Sequence, residues 1–376
     1  MEKLIVRNFG PIKEAELDLT KYVVFIGDTS TGKSVLAKLI TILRESIFSV
    51  NFKVVNGELK QTLNLNFKEQ LEYLNIDFDY KESEIIYQSS KYKIEILNGK
   101  IKYIGEKGYS KKEFIRKSIN NDFIKNNIDL FKSIPSLNLN AFSKTSYFPA
   151  ERILLSIVGT SVTGLWANNV SFPNYFKDFA ANFDIAKSKN KSIIYNKFGF
   201  EFKTEKDIDK ILIDNKLYEL SKMSSGIQSL VPLLLTFDHE IKSKSIKTFL
   251  IEEPELNLFP SKQKILIDYI VERINGDFHN LILTTHSPYI LSCLNTLLLA
   301  NNTYDENPDR IDDISKIVPI SRWIDFKNIS VYEVVNGTVK SIKDEEYKCI
   351  DSNAIDEVSS VISNEFDNLL DIRYDE

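Results

Sequence analysis

The sequence predicts an α/β fold with a mixed central sheet, an N-terminal antiparallel β subdomain and a helical insertion. The apolar run Tyr22–Ile26 leads into a glycine-containing loop and then into a helical pattern. Two later apolar runs, within Lys247–Glu255 and Asn280–Pro288, each end in polar residues, as strands do at the ligand-binding edge of an open sheet. Residues 51–104 show the alternation of antiparallel strands.

The loop at residues 27–34 reads Gly-Asp-Thr-Ser-Thr-Gly-Lys-Ser. Its glycines let backbone N–H groups point at a phosphate, and the positive end of the following helix adds to the attraction. At this spacing Lys33 reaches the β- and γ-phosphates, and the Ser34 hydroxyl ligates Mg²⁺. The sequence therefore predicts a nucleoside triphosphate site formed by Gly27, Asp28, Thr29, Ser30, Thr31, Gly32, Lys33 and Ser34.

Composition narrows the class of protein. The chain has 376 residues, of which 43% are hydrophobic and 27% charged, as in ordinary globular proteins. A net charge of −5 argues against a globally basic nucleic-acid binder. The two cysteines, Cys293 and Cys349, support neither a disulfide framework nor a zinc site. With no signal-peptide layout and no run of 18 apolar residues, we expect a cytoplasmic protein without a membrane span.

The chain is expected to form one domain, residues 1–376. Asn98-Gly99 and Asn336-Gly337 each separate two β patterns and predict hairpins with type I′ turns. Within the domain we predict a β-rich subdomain at 51–104, helical insertions at 105–145 and 153–190, and a C-terminal helix at 343–376.

Acidic residues follow the second apolar strand. Glu252 and Glu253 stand at its carboxyl end, where phosphoanhydride hydrolysis needs one carboxylate near Mg²⁺ and another that orients the attacking water. His286 ends the third strand, where it either contacts the γ-phosphate or serves as a structural histidine.

Small hydroxylated residues form a second candidate anion site. Ser224, Ser225 and Gly226 precede the helical pattern that continues through Phe237. One bound nucleotide does not need two phosphate cradles, so this turn is expected to serve the nucleotide held by another subunit. An ordinary serine N-cap is the alternative.

These segments, in this order, resemble the ATP-binding-cassette (ABC) ATPase fold over at least residues 1–45 and 146–342. The chain is most similar to the soluble heads of structural-maintenance-of-chromosomes (SMC) proteins and of the overcoming-lysogenization-defect (OLD) family, a branch with bacterial defence-associated AAA-family ATPases. The segments that carry this similarity are Leu4–Ile12, Pro149–Arg152 and Glu252–Pro260.

The resemblance implies an ATPase that uses ATP and Mg²⁺. It makes residues 27–34 the Walker A loop, with Lys33 among the catalytic residues. The other implied roles are Glu252 with Ser34 at the metal, Glu253 as catalytic base, His286 as switch histidine, Ser224, Ser225 and Gly226 as the signature of the partner's site, and Asn257 in the D-loop.

Three features depart from the family pattern. The signature reads Met-Ser-Ser-Gly-Ile-Gln, with Gln228 one place late. The first acid of the pair is Glu252 where aspartate is more usual, and Glu151 is the candidate at the Q-loop position, which lacks a clear glutamine.

Our main hypothesis is a cytoplasmic ATPase that forms a head-to-tail homodimer on ATP and regulates a separate effector, a nuclease or toxin, in antiphage defence. OLD nucleases carry a long C-terminal nuclease (TOPRIM) domain, whereas about 35 residues follow the last hairpin here, so an intrinsic nuclease is not expected.

Two alternatives remain open. A DNA-repair or chromosome-associated ATPase would clamp DNA directly, through the basic stretch Lys107–Lys125, although interleaved acidic residues favour a solvated helix face. A transporter subunit is disfavoured by the strand-rich insert and the missing Q-loop glutamine.

Overall fold

The computed structural model describes residues 2–55, 58–106, 137–139, 145–158, 171–206, 208–243, 247–351, 365–367 and 369. It confirms the predicted mixed α/β fold. The helices are α1 (Lys33–Thr41), α2 (Phe67–Tyr73), α3 (Ile153–Val158), α4 (Asn174–Lys189), α5 (Ser225–Glu240), α6 (Pro260–Asn275), α7 (Pro288–Glu306) and α8 (Ile311–Ile317).

The strands of the large sheet are β1 (Glu2–Phe9), β2 (Ile12–Leu19), β3 (Tyr22–Ile26), β6 (Glu84–Gln88), β7 (Tyr92–Leu97), β8 (Lys100–Gly105), β10 (Ser146–Phe148), β15 (Thr248–Glu252), β16 (Asn280–Thr285), β17 (Ile329–Val335) and β18 (Thr338–Ser341). The smaller sheets contain β4 (Phe48–Val55), β5 (Glu58–Leu65) and β9 (Leu137–Leu139); β11 (Ser192–Tyr195), β12 (Phe200–Glu205), β13 (Ile208–Ile213) and β14 (Lys216–Glu219); and β19 (Lys343–Asp344) with β20 (Cys349–Ile350).

The large sheet combines five parallel strands with six strands whose pairings are antiparallel, except that β18 pairs parallel with β2. Its order is β10-β15-β16-β3-β17-β18-β2-β1-β6-β7-β8. The first five of these strands run parallel to one another. Strands β3 and β15 are buried along their whole length, and helix α1 packs against both and against β16. Near-continuous apolar runs suit strands that are covered on both faces, which is why these two runs form fully buried strands of the parallel part of the sheet.

The predicted hairpins at Asn98-Gly99 and Asn336-Gly337 are confirmed. They join β7 to β8 and β17 to β18, and all four turn residues have positive φ, as a type I′ turn requires.

Residues 51–104 are divided between two sheets. Strands β4 and β5 pair with each other, and β9 adds to β4. Strands β6, β7 and β8 instead extend the large sheet through the antiparallel pairing of β6 with β1.

The two predicted helical insertions are only partly described. Residues 153–190 contain α3 and α4. Within 105–145, Leu137–Leu139 forms β9. The basic stretch from Lys107 to Lys125 lies outside the described residues.

The segment 343–376, predicted as a C-terminal helix, begins instead with the pair β19–β20. Side chains on α7 explain this start: Asn295 exchanges two hydrogen bonds with the backbone of Ile350, and Asn302 donates to the carbonyl of Lys348. In the remainder of the segment, only residues 365–367 and 369 are described, and they are helical.

Two carboxylates tie the four-stranded sheet β11–β14 to helices: Asp209 of β13 accepts a hydrogen bond from Lys187 on α4, and Asp238 lies on α5. Asp238 on α5 accepts hydrogen bonds from Tyr195 of β11 and from Tyr269 and Arg273 of α6. This ties the sheet to the helix that begins at Ser225. Among the described helices, none combines the length and the apolar character needed to cross a bilayer.

Candidate functional site

The carboxyl ends of three parallel strands lie level with one another. Glu252 pairs in register with Thr284 of β16, and Thr284 pairs with Phe25 of β3. The loops after these strands therefore leave the sheet at the same edge, which is where ligands bind in open α/β sheets.

A cleft of about 470 Å³ opens at this edge. Sequence-predicted site residues from all three loops line it. They are Thr29, Ser30, Gly32, Lys33, Ser34, Glu253 and His286, and the other lining residues are Pro11, Val35 and Phe78.

The phosphate loop is held by the neighbouring strand. Gly27 has φ +146°, and a Cβ there would lie 2.3 Å from the carbonyl oxygen of Val334, so a side chain would force the loop off β17. Thr31 donates to the carbonyl of Asp28 within the loop. The Lys33 ammonium donates to the carbonyl oxygens of Gly27 and Asp28, at 2.8 and 2.6 Å.

The electrostatics of Lys33 reflect burial and nearby acids. Burial lowers the pKa of Lys33, and the carboxylates of Glu253, Asp28, Glu255 and Glu252 oppose that shift by favouring the charged form. The ammonium thus lies within the field of the acidic end of β15.

Glu252 is buried and faces a tyrosine. Its Oε2 accepts a hydrogen bond of 2.6 Å from the Tyr147 hydroxyl, while Oε1 has no hydrogen-bond partner among the described residues. Burial raises the pKa of Tyr147 well above its ordinary value, so the phenol stays protonated and remains a donor. Glu252 does not line the cleft; it is the last residue of β15, the strand against which α1 packs.

Glu253 and His286 meet inside the cleft. His286 Nε2 lies 3.3 Å from Oε1 of Glu253. Glu253 has φ +44°, in the left-handed region, and its N–H donates to the carbonyl of Thr284. This backbone turn carries the side chain from the strand end into the cleft.

Glu255 organises the end of β16. Its Oε1 accepts hydrogen bonds from the Thr285 hydroxyl at 2.6 Å and from the His286 N–H at 2.8 Å. Ser287 then donates to Gln263 on α6, which fixes the next residue of the same loop. The position of His286 therefore depends on the carboxylate two residues after Glu253.

Arg152 lies beneath the acidic loop and is fully buried. Its guanidinium donates to the carbonyls of Glu252 at 2.8 Å, Glu253 at 2.7 Å and Pro149 at 3.1 Å. Burial lowers the pKa of Arg152 to about 10, which leaves it charged at neutral pH. A permanent cation thus orients the backbone from which Glu252 and Glu253 project.

The turn at Ser224–Gly226 starts α5, and both serines are exposed. Ser224 makes no side-chain cap for its helix. A Cβ on Gly226 would lie 2.8 Å from the carbonyl of Asn257, so this turn and the predicted D-loop residue are neighbours. None of the four residues lines the cleft that holds Lys33.

Neither Gln228 nor Glu151 lines the cleft. The Gln228 side chain is buried and donates to the carbonyl of Ser221 at 2.8 Å, inside its own chain. Glu151 is exposed in the turn after β10, next to Arg152.

The donor set fits a magnesium ion that is shared with phosphate. No group of three or more His, Cys, Asp or Glu side chains in the described part of the chain forms a metal cage. Mg²⁺ does not need one, since it binds through one or two protein oxygens together with substrate phosphates and water. The buried, unpartnered Oε1 of Glu252 is an oxygen suited to that role, directly or through water.

Four residues of the site were not singled out as functional from the sequence: Tyr147, Arg152, Glu255 and Phe78. Arg152 and Glu255 stand in segments that carry the family resemblance, which was the available signal. Tyr147 contacts Glu252, which lies 105 residues later in the chain. Phe78 contacts Gly10 in the turn before β2, about 70 residues earlier. No local sequence pattern encodes such long-range contacts.

Comparison with known proteins gives one family match. Residues 165–291 match the family model described as an AAA ATPase domain. This span contains Ser224–Gly226, Glu252, Glu253 and His286, whereas the phosphate loop precedes it. The match supports an ATPase, and it does so independently of the loop. A comparison with curated proteins gave no match.

Solved structures with a similar fold include SMC and ABC proteins. The SMC head domain from Thermotoga maritima is 12% identical, with 91% of this chain and 98% of that chain covered and a TM-score of 0.41. An Smc head domain with an extended coiled coil, from a complex with the C-terminal domain of ScpA derived from Pyrococcus furiosus, is 11% identical (96% and 100% covered, TM-score 0.37). The ADP conformation of an ATP-binding cassette of an ABC transporter is 10% identical (96% and 97% covered, TM-score 0.36).

A substitution that removes only the hydroxyl oxygen of Tyr147 tests its contact with Glu252. Tyr147→Phe removes the only hydroxyl that the described residues offer to the buried Glu252 carboxylate. We expect the free energy of unfolding to fall by about 1–2 kcal/mol, because a buried acceptor loses its donor. Urea unfolding followed by circular dichroism measures this loss. Tyr218→Phe, on the exposed strand β14, is the control, and equal effects of the two substitutions would contradict the assignment.

Proposed function

We propose that this protein binds ATP with Mg²⁺ and hydrolyses it to ADP and phosphate. The observation that carries the proposal is the single cleft in which the phosphate loop, Glu253 and His286 come together from three separate strand ends. A phosphate loop alone would support binding; a carboxylate and an imidazole beside it support chemistry on the terminal phosphate.

The phosphate loop would hold the triphosphate. Backbone N–H groups from Gly27 to Ser34 face the phosphates at the start of α1, where the helix dipole favours negative charge. Lys33 would exchange its two loop carbonyls for β- and γ-phosphate oxygens, a stronger charge-assisted contact. The loop side chains of Asp28, Thr29, Ser30 and Thr31 border the same site.

Ser34 and Glu252 would hold Mg²⁺. The ion, when bound, neutralises charge on the β- and γ-phosphates. Tyr147 occupies one oxygen of Glu252 and leaves the other for the metal or its water.

Glu253 would act on the attacking water. Its carboxylate would accept the water's proton as the water oxygen bonds to the γ-phosphorus and the bond from that phosphorus to the β–γ bridging oxygen breaks, which releases ADP. His286, 3.3 Å from Glu253, would donate to the carboxylate or to the γ-phosphate. Arg152 and Glu255 act as positioning residues, since the first orients the Glu253 backbone and the second the His286 backbone.

A second subunit would complete the site. Ser224, Ser225 and Gly226 form an exposed helix start next to Asn257, but they lie outside the cleft of their own chain. In a head-to-tail homodimer this turn covers the γ-phosphate of the partner's nucleotide, and Asn257 enters the interface beside it. Hydrolysis then limits the lifetime of the dimer.

The dimer would control a separate effector, a nuclease or toxin, in cytoplasmic antiphage defence. The support for this step is the resemblance of Pro149–Arg152 and Glu252–Pro260 to the OLD-like branch. Purified chain with Mg²⁺ and ATP is therefore expected to leave duplex DNA intact in a gel assay. DNA cleavage that co-purifies with the protein and is lost in Lys33→Ala would contradict the division of labour.

The base assignment is tested by Glu253→Gln. The amide keeps the size of the side chain but cannot take a proton, so we expect the hydrolysis rate to fall at least about 100-fold while ATP still binds. Phosphate release and binding of a fluorescent ATP analogue measure the two quantities. Glu345→Gln, on the exposed turn after β19, is the matched control. Loss of nucleotide binding in Glu253→Gln would show that the base assignment is wrong.

The shared site is tested by Ser225→Arg. A long cationic side chain at the exposed helix start blocks close approach of a second subunit but leaves the cleft of its own chain untouched. In the Glu253→Gln background with ATP, sedimentation velocity is expected to show dimers that disappear when Ser225→Arg is added. Single-chain ATP binding should persist. Ser188→Arg, on the exposed end of α4, is the control, and dimers that survive Ser225→Arg would refute the head-to-tail arrangement.

A further inference from the structure

A second cavity, of about 350 Å³, shares no described lining residue with the cleft that holds Lys33. Its walls come from the end of α1, from α2 and α4, from the start of β10, and from the segments that end α5 and precede β15. A cavity of this volume is of the size that small-molecule sites have in proteins. The polar and aromatic side chains that line it define which molecule it suits.

The charged groups of this cavity already have partners within the chain. Glu240 accepts a hydrogen bond of 2.8 Å from the Ser146 hydroxyl and forms an ion pair with Lys247. Asp178 accepts a hydrogen bond from the Tyr73 hydroxyl, and burial raises the pKa of Tyr73, so the phenol stays protonated and remains a donor. These are the carboxylates and the ammonium among the described lining residues. A charged ligand would have to displace one of these partners, so the cavity favours a neutral one.

The polar groups that remain available are neutral. The side-chain amides of Gln70 and Asn182 line the cavity, and neither makes a hydrogen bond within the described part of the chain. The buried Thr145 hydroxyl, also in the lining, has no partner there either. Each of these groups can donate and accept. They suit a ligand whose edge carries donors and acceptors side by side, as that of a purine does, and an Asn or Gln amide can pair with such an edge through two hydrogen bonds.

Aromatic rings supply much of the remaining lining. The rings of Tyr147 and Tyr175 meet edge to face, at 83° and with centroids 4.8 Å apart. Aromatic side chains offer surfaces on which flat heterocycles stack. The aromatic lining residues are Tyr73, Tyr147, Tyr175 and Phe179. Rings together with unpaired amides favour a flat ligand with a polar edge.

The cavity also contacts the far ends of two helices that start at the proposed nucleotide site. Thr41, the last residue of α1, lines the cavity, and the same helix begins at Lys33. Glu240, the last residue of α5, lines it too, and that helix begins at Ser225. A molecule bound here therefore touches elements that also form the candidate functional site.

We propose that this cavity binds a purine nucleoside or its free base, and that the bound molecule changes the rate of ATP hydrolysis through Tyr147. The ring of Tyr147 lines the cavity, and its hydroxyl donates to Oε2 of Glu252, the acid that the proposed function places at Mg²⁺. A ligand that shifts this ring shifts the donor on that carboxylate. The binding site is separate from the ATP cleft; only its effect on hydrolysis rests on the proposed function.

Calorimetry tests the site in the full-length Glu253→Gln chain saturated with ATP and Mg²⁺, so that ATP occupies its own cleft. At least one of adenosine and guanosine is expected to bind with a Kd below about 1 mM, whereas ribose alone is not. Asn182→Leu is expected to raise that Kd about 5- to 100-fold, the loss of one amide–base pair, and to change the Kd for ATP less than about twofold. Gln70→Leu tests the second amide in the same way.

Two further variants separate binding from its effect. Asn196→Leu, in the exposed turn between β11 and β12, is the matched control and should change neither Kd. Tyr147→Phe keeps the ring in the cavity but removes the hydroxyl on Glu252, so the nucleoside should still bind. With saturating ATP, the nucleoside is expected to change the rate of phosphate release of the wild-type chain at least about fivefold, and that of Tyr147→Phe hardly at all.

Each part of the proposal can fail separately. A Kd above about 1 mM for both nucleosides, equal binding of ribose, or full affinity in both Asn182→Leu and Gln70→Leu overturns the site. A nucleoside that binds without changing the rate, or that still changes it in Tyr147→Phe, overturns the coupling. A chain that does not bind ATP refutes the proposed function, and the nucleoside titration of that chain still decides the cavity.

Discussion

A single buried guanidinium organises the acidic end of the central sheet. Arg152 donates hydrogen bonds to the backbone carbonyls of Pro149, Glu252, Glu253 and Pro254, at the place where β15 ends and Glu253 takes a left-handed conformation. Carbonyl dipoles that point together repel one another and would have to be hydrated. A permanent cation beneath them supplies charge-assisted hydrogen bonds in a site that water does not reach. Both acids then project in different directions from one fixed backbone.

That divergence gives the two carboxylates different environments. Glu252 is buried and accepts a hydrogen bond from the protonated phenol of Tyr147, whereas Glu253 lines the cleft beside the imidazole of His286. Metal binding needs an oxygen held still, and proton transfer needs one that reaches the water. The left-handed turn at Glu253, directly after β15 ends, directs its side chain away from that of Glu252, so in the proposed function a consecutive acid pair would meet both needs without a further element.

The sequence predicted the parts of the site that are local and missed those that are long-range. The phosphate loop, the paired acids and the two Asn-Gly hairpins depend on residues within a few positions of one another, and patterns record such relations. Tyr147, Arg152 and Phe78 act on segments many residues away, so their roles depend on the strand order. Strands β6–β8 follow the same rule: their alternation predicted antiparallel pairing, but nothing local indicated that β6 would pair with β1 and extend the large sheet. Gln228 shows that a local pattern can also mislead. It stands near the signature position, but its side chain donates a hydrogen bond to the carbonyl of Ser221 in the turn before its own helix.

The first hairpin, β1–β2, combines a local turn with long-range contacts. Its turn carries Gly10 and Pro11, and Gly337 of the last hairpin accepts hydrogen bonds from the backbone of Lys13 and Glu14. The hairpin β17–β18 in turn presents the carbonyl of Val334 to Gly27. The phosphate loop is therefore supported by strands from both the first and the last hairpin, and the ring of Phe78 lies against Gly10 in the same first turn.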